Sequence, residues 1–312
     1  MRTETCWLPS AGGGRQFARL WLPDAPPRAV LLIAHGLSEY GGRYDAFARW
    51  LAERGYAVAA ADHMGHGHSD GTPGCFSGGW MAAMEDLRRQ VRRLAQRWPG
   101  LPLFLLGHSM GSFLTRTLLI RCPALPLTGV LLSGTAQYPR HGTAIMARVL
   151  AVEAALRGEQ RQSGAAALAE QLFNAPFSPH RTGCDWISRD PAELDALAAD
   201  PLCDQPPSLG LQRDMLRGIA YNESPRRLRR MNRALPVLFF SGGRDPVGLM
   251  GRGVMAAAAS FQRAGMRQIT VRLYPGARHE TLHETNRTRV YADLLEQDLA
   301  WLGLTWDEGG ST

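Results

Sequence analysis

A short apolar run, Leu101 to Leu106, passes directly into Gly107-His108-Ser109-Met110-Gly111, and a helical pattern from Phe113 to Arg121 follows at once. A chain that turns from strand to helix through these five residues has few options. Glycines two before and two after Ser109 permit a very tight turn, because side chains there would strike neighbouring backbone. The turn pushes the serine oxygen outward. It also sets the Met110 N–H at the start of a helix, where developing negative charge is favoured. Ser109 is therefore the candidate nucleophile, and the Met110 N–H a candidate oxyanion donor.

The surrounding pattern gives this turn a sheet to stand on. Ala29 to Ala34 (AVLLIA) and Tyr56 to Ala61 (YAVAAA) are short continuous apolar runs, as expected of strands buried on both faces. Val130 to Ser133, Leu235 to Phe240 and Ile269 to Leu273 also read as strands. Between them lie helical patterns at Tyr44 to Glu53, Met81 to Trp98, Leu249 to Ala264 and about Arg289 to Leu302. Strand–helix alternation of this kind implies an α/β fold, a mainly parallel sheet with helices on both faces. From about Gln137 to Arg233 the alternation stops. That stretch is helical, polar and loop-rich, without a long apolar surface. The expected organisation is a sheet domain from 1–135 and 236–312, interrupted by a helical insertion at 136–235. Gly309 to Thr312 reads as a loose tail.

A serine hydroxyl needs a histidine to take its proton and a carboxylate to orient that histidine. On such a sheet the order along the chain is Ser, then Asp or Glu, then His. His35, His63, His66, His68 and His108 precede or adjoin the serine, and His141 and His180 fall in the insertion. His279 and His283 follow the last strand, and His279 sits in the loop just past its end, where sites in such sheets form. Asp245 occupies the loop after the Leu235–Phe240 strand. The other candidate position, after Val130–Ser133, reads Gly134-Thr135-Ala136-Gln137 and holds no carboxylate. The second oxyanion donor is expected in His35-Gly36-Leu37, at the Leu37 N–H.

Composition narrows the chemistry further. All 35 basic residues are arginine, against 28 acidic ones, for a net charge of +7. Without lysine there is no phosphate-loop lysine, no Schiff base and no serine–lysine pair. The histidines of His63-Met64-Gly65-His66-Gly67-His68 lack the carboxylate or cysteine that would complete a metal-ligand spacing. The basic cluster Pro225 to Arg230 comes with no recognised nucleic-acid reading module. Thr143 to Leu156 is amphipathic and reads as a pocket-lining helix. It is also the place where transient contact with a membrane surface is expected, if there is any. The five cysteines, odd in number and without C-x-x-C spacing, fit reduced thiols and a cytoplasmic location. No signal-peptide pattern follows Met1, and no run is long enough to span a membrane.

Taken together, the segments His35 to Glu39 with Arg43-Tyr44, Asp62 with Gly65 to Ser69, Gly107 to Gly111, Gly242 to Pro246 and Tyr274 to Glu280 resemble the monoacylglycerol lipase and lysophospholipase-like branch of the α/β-hydrolases. Ser188-Arg189-Asp190 and Asp200 to Cys203 in the insertion are similar too. Tyr40 is a departure, since a histidine is common there in this branch. The resemblance implies an eight-stranded sheet, a mobile helical cap over the site, and cofactor-free hydrolysis of small acyl esters. It matches Ser109, Asp245 and His279 to a catalytic triad. Amidase, aminopeptidase or thioesterase chemistry on the same triad remains open at this stage. So does a non-catalytic receptor built on the fold.

Overall fold

The structure, a computed structural model, describes residues 1–303. The tail expected at Gly309 to Thr312 lies outside the described residues. In chain order the strands are β1 Arg2–Pro9, β2 Arg15–Leu22, β3 Ala29–Ala34, β4 Tyr56–Ala61, β5 Leu103–His108, β6 Gly129–Ser133, β7 Val237–Gly242 and β8 Ile269–Tyr274. The helices are α1 Asp45–Ala52, α2 Gly79–Arg97, α3 Met110–Arg121, α4 Arg140–Arg157, α5 Gly164–Asn174, α6 Pro191–Ala199, α7 Leu209–Asn222, α8 Pro225–Leu228, α9 Arg252–Arg263 and α10 Arg287–Trp301.

The eight strands form one sheet in the order β1-β2-β4-β3-β5-β6-β7-β8. β1 and β2 pair antiparallel with each other, and β2 pairs antiparallel with β4; the remaining pairs are parallel. Strand geometry explains the continuous apolar runs. Successive side chains point to opposite faces, so Val30, Leu32 and Ala34 join one core, while Ala29, Leu31 and Ile33 join the other. α2, α3 and α9 cover the first face, and α1 and α10 the second. Fully burying one such large side chain stabilises by about 1.5–3 kcal/mol.

β3 is followed by β4 on one side, and β5 returns on the other. This reversal opens a crevice at the carboxyl ends of β3 and β5, the usual place for a site in an open α/β sheet. The loop containing Leu37 leaves β3 there, and Ser109 leaves β5 there.

The segment between β6 and β7 carries α4 to α8. Asp190 caps α6 by accepting from the Ala192 N–H at 3.1 Å, with Pro191 at the first helical position. Ser208 caps α7 by accepting from the Leu211 N–H at 3.1 Å. Two features differ from the sequence reading. α7 places Leu211 and Ile219 in the core of the sheet domain beside α2 and α3, so it is an anchored element. And α4 and α5 do present an apolar surface: Ile145, Val149, Val152, Leu156, Leu168 and Leu172 are exposed, Leu156 at 81%. The alanines and arginines interleaved with them dilute this face in the linear sequence. Among the described residues, no helix is long and apolar enough to cross a membrane.

Candidate active site

Ser109 caps α3 with φ 48° and ψ −117°, a conformation that costs a non-glycine residue about 1–3 kcal/mol. Hydrogen bonds hold it there. Its N–H donates to the Ser133 carbonyl at 2.9 Å, and its own carbonyl accepts from the Ser112 N–H at 2.9 Å. The flanking glycines are required by contact. A Cβ on Gly107 would lie 2.6 Å from Thr115 Oγ1, and one on Gly111 would collide with the Ala34 and His35 carbonyl oxygens. Ser109 is half-buried, and its hydroxyl has no hydrogen-bond partner among the described residues.

His279 and Asp245 meet beside it. His279 Nδ1 lies 2.9 Å from Asp245 Oδ1; a carboxylate oxygen only accepts, so Nδ1 carries the proton and Nε2 is left to act as a base. Asp245 is fully buried. It also accepts from Ser241 Oγ at 2.8 Å and from the Val247 N–H at 2.9 Å. Burial opposes its charge, but the His279 charge and hydrogen bond, the Ser241 hydroxyl and the Gly248 N–H outweigh burial and hold the carboxyl below its usual range. For His279 burial alone would push the imidazole down. The Asp245 charge and hydrogen bond, with Glu280 and Glu39 adding, raise it above its ordinary value instead. The other late histidine, His283, has both ring nitrogens engaged: Nδ1 is 3.1 Å from Glu280 and Nε2 is 2.9 Å from the Arg43 carbonyl.

Leu37, Ser109, Met110 and His279 all line one cavity of about 670 Å³. Asp245 lies behind His279, outside the lining. One stretch of wall is apolar, with Phe113, Tyr138, Met146, Phe173, Met215 and Leu216. Another is polar, with Glu39, Arg43, Cys203, Asp204, Gln205 and Glu280. Arg43 is buried between Glu280 at 2.6 Å and Glu39 at 3.4 Å, and Glu39 also accepts from the Gly36 N–H and from Tyr44 Oη at 2.9 Å. This network ties the loop holding Leu37 to the loop holding His279. It was not foreseen as a unit. All three charged residues lie in the motif segments, but only the fold joins them.

The Leu37 loop has further restraints. Ser38, at φ 55°, donates to the Gln205 carbonyl at 2.9 Å. Tyr40 donates to Asp200 at 2.9 Å; burial and this partner push the phenol up to about 12. The departure at Tyr40 is thus a contact between this loop and the insertion. The clustered histidines are structural. His63 N–H donates to His35 Nε2 at 2.8 Å, and burial pushes His35 well below its usual value, His63 down to about 3 and His66 to about 4. Among the described residues, no group of three or more histidines, cysteines or carboxylates is placed to hold a metal.

Gly134, after β6, shows in sequence only the lack of a carboxylate at that strand end. It has φ 59°, and a Cβ there would lie 2.7 Å from His279 Cε1 and 3.2 Å from His108 Cε1. The absent side chain makes room for the imidazole.

Comparison with known proteins agrees with this architecture. Residues 25–286 match the family described as serine aminopeptidase, S33. The monoacylglycerol lipase of Mycolicibacterium smegmatis is 29% identical over 91% of this chain and 92% of its own length. The monoglyceride lipase of Rattus norvegicus is 30% identical over 62% of this chain, an alignment spanning 59% of that protein. Among solved structures, a thermostable carboxyl esterase from Bacillus coagulans, in complex with glycerol, superposes with a TM-score of 0.85 at 26% identity, covering 95% of this chain and 97% of that one. The chain belongs to the serine aminopeptidase S33 family, on the monoacylglycerol lipase-like branch of the α/β-hydrolases, and is a hydrolase of the lipase and esterase type.

Proposed function

We propose that the chain is a serine carboxylic-ester hydrolase that acts through an acyl-enzyme on monoacylglycerols and similar uncharged acyl esters. The observation that carries this is the buried His279–Asp245 pair at 2.9 Å, whose imidazole shares a cavity with Ser109 on its strained turn. In this reading His279 Nε2 takes the Ser109 proton as Oγ adds to the ester carbonyl. The Leu37 and Met110 N–H groups hold the oxyanion. The intermediate collapses, and the alcohol leaves with the proton from His279. Water, deprotonated by His279, then attacks the acyl-enzyme and releases the acid. Asp245 steadies the imidazolium at each stage. Residues 136–235 act as a cap over a core formed, among the described residues, by 1–135 and 236–303, with α7 as the anchored part.

The wall chemistry favours an uncharged leaving alcohol. Glu39, Glu170, Asp204, Glu280 and a single, already paired Arg43 face the cavity. The phosphate of a lysophospholipid would meet carboxylates there, and like charges brought together cost several kcal/mol, roughly. Names of relatives, a monoacylglycerol lipase and a carboxyl esterase bound to glycerol, support the same choice. The test is a turnover panel of monoacylglycerols, lysophospholipids, short p-nitrophenyl esters, acyl thioesters and aminoacyl amides. Monoacylglycerol is expected to exceed lysophospholipid by at least about tenfold in kcat/KM. A preference for amide or thioester, or binding without turnover, would overturn the proposal.

The exposed apolar residues of α4 lie on a helix that also carries Arg140, Arg148 and Arg157, the last paired with Glu153 at 2.6 Å; those of α5 lie on a helix without arginine. That combination suits an anionic lipid–water interface. Co-sedimentation with anionic vesicles is expected, and Val152→Glu with Leu156→Glu should abolish it. Unchanged sedimentation of the double variant would count against the contact.

A further inference from the structure

Two rings pack against the His279 imidazole. His108, at the end of β5, has its centroid 4.8 Å away, and Trp186, from the insertion, lies at 5.1 Å with an interplanar angle of 38°. The Asp245 hydrogen bond fixes Nδ1. It leaves the ring free to rotate about the Nδ1···Oδ1 axis, and that rotation decides where Nε2 points. A ring packed on the imidazole removes this freedom.

The backbone around Trp186 is built onto the same loop. The His279 N–H donates to the Trp186 carbonyl at 3.3 Å and the Glu280 N–H to the Ile187 carbonyl at 2.8 Å. The Arg278 guanidinium donates to the Asp185 carbonyl and, at 3.0 Å, to the Ser188 carbonyl. Arg189 pairs with Glu284 at 2.9 Å. Trp186 is only half-buried and borders the cavity. Its ring also meets Phe173 of α5 at 5.2 Å, and Phe173 lines the apolar wall. A line of rings therefore runs from the apolar wall of the cavity to the imidazole.

We propose that Trp186 is a positioning residue for His279, so that a segment of the insertion completes the base of the sheet domain and couples its aim to occupancy of the apolar wall. This rests on the reading of His279 as the general base. The indole adds a second effect. A cation within about 6 Å of an indole face is favoured, so Trp186 helps hold the protonated imidazole. The other titratable groups facing His279 are Asp245 after β7, His108 on β5, Glu280 beside it and Glu39 after β3.

The test compares Trp186→Leu and Trp186→Phe on a short p-nitrophenyl ester across pH. Leu is expected to lower kcat by about 10- to 100-fold, to change KM by less than about threefold, and to move the acid limb of the profile to lower pH. Phe, which keeps a ring, should recover most of the kcat and the limb. A raised KM with kcat unchanged, or Phe no better than Leu, overturns the proposal. Trp186→Met carries the Leu expectation if the Leu variant does not fold. If neither folds, Trp186→Phe is read against the parent: a fall in kcat within about threefold at unchanged KM supports the proposal, and a rise in KM alone overturns it. Full activity in Ser109→Ala would instead remove the underlying mechanism. An inactive Ser109→Ala beside a wild-type-like Trp186→Leu would remove only the role of Trp186.

Discussion

Ser109→Ala is expected to lower kcat by about 10⁵–10⁶-fold, while the variant keeps the circular dichroism and thermal melt of the parent. The loss is that large because the remaining groups act through the serine. With no nucleophile, His279 has no proton to take, and only binding and the two N–H donors remain. Ser109→Gly separates activity from strain. At φ 48° the serine Cβ is held in a sparsely populated region, at about 1–3 kcal/mol, and glycine adopts that conformation freely. Its extra unfolded-state entropy takes back up to about 1 kcal/mol. The Gly variant should therefore be as inactive as Ala yet about 1–2 kcal/mol more stable in urea unfolding. Residual turnover in Ala near the parent level would end the nucleophile assignment. A Gly variant less stable than Ala would show that the turn is not strained.

The parts of this molecule that could be read in advance are those where chemistry dictates residue type at a strand end. Glycines around Ser109, a carboxylate in the loop after β7 and a histidine in the loop after β8 are such cases, and the fold brings them to or just behind one cavity. β3 to β7 were legible because each is buried and carries a continuous apolar run; β8, half-exposed at the sheet edge with Thr270 and Arg272 in it, was legible from its β-branched Ile269, Thr270 and Val271. β1 and β2 were not. β1 is an edge strand, and its side chains are exposed or half-exposed along its length, so no apolar run marks it. β5 and β7 run further than their apolar segments, because Gly107-His108 and Ser241-Gly242 still pair with neighbouring strands. α7 was read with the insertion, since nothing local shows that Ile219 packs against the sheet domain. The Arg43–Glu280 pair was invisible for the same reason: its partners are 237 positions apart.

The other large effect belongs to Asp245. Asp245→Asn is expected to lower kcat by about 10⁴-fold with little change in KM. The amide is nearly isosteric, so the loss is chemical. An asparagine can present its N–H₂ to Nδ1, which moves the imidazole proton to Nε2, where it faces Ser109 and cannot accept. The pH profile gives the sign. In the parent His279 sits above its ordinary value of about 6.5, so activity falls as pH drops through that raised value. In the Asn variant the Asp245 charge that raises it is gone and burial, which lowers it, remains. The acid limb should therefore move to lower pH. Stability follows the same linkage. The raised His279 contributes fully below about pH 6.5, and its contribution is lost as pH rises through the folded value. The depressed Asp245 contributes above about pH 3.9, and its contribution is lost as pH falls through its own. The pair thus stabilises the parent most between those limits, and its margin over Asp245→Asn should shrink as pH rises past the folded His279 value. Urea melts at several pH values measure the margin, and kcat profiles measure the limb. A limb that stays in place, or a margin that grows toward alkaline pH, would mean that Asp245 does not set the protonation of His279.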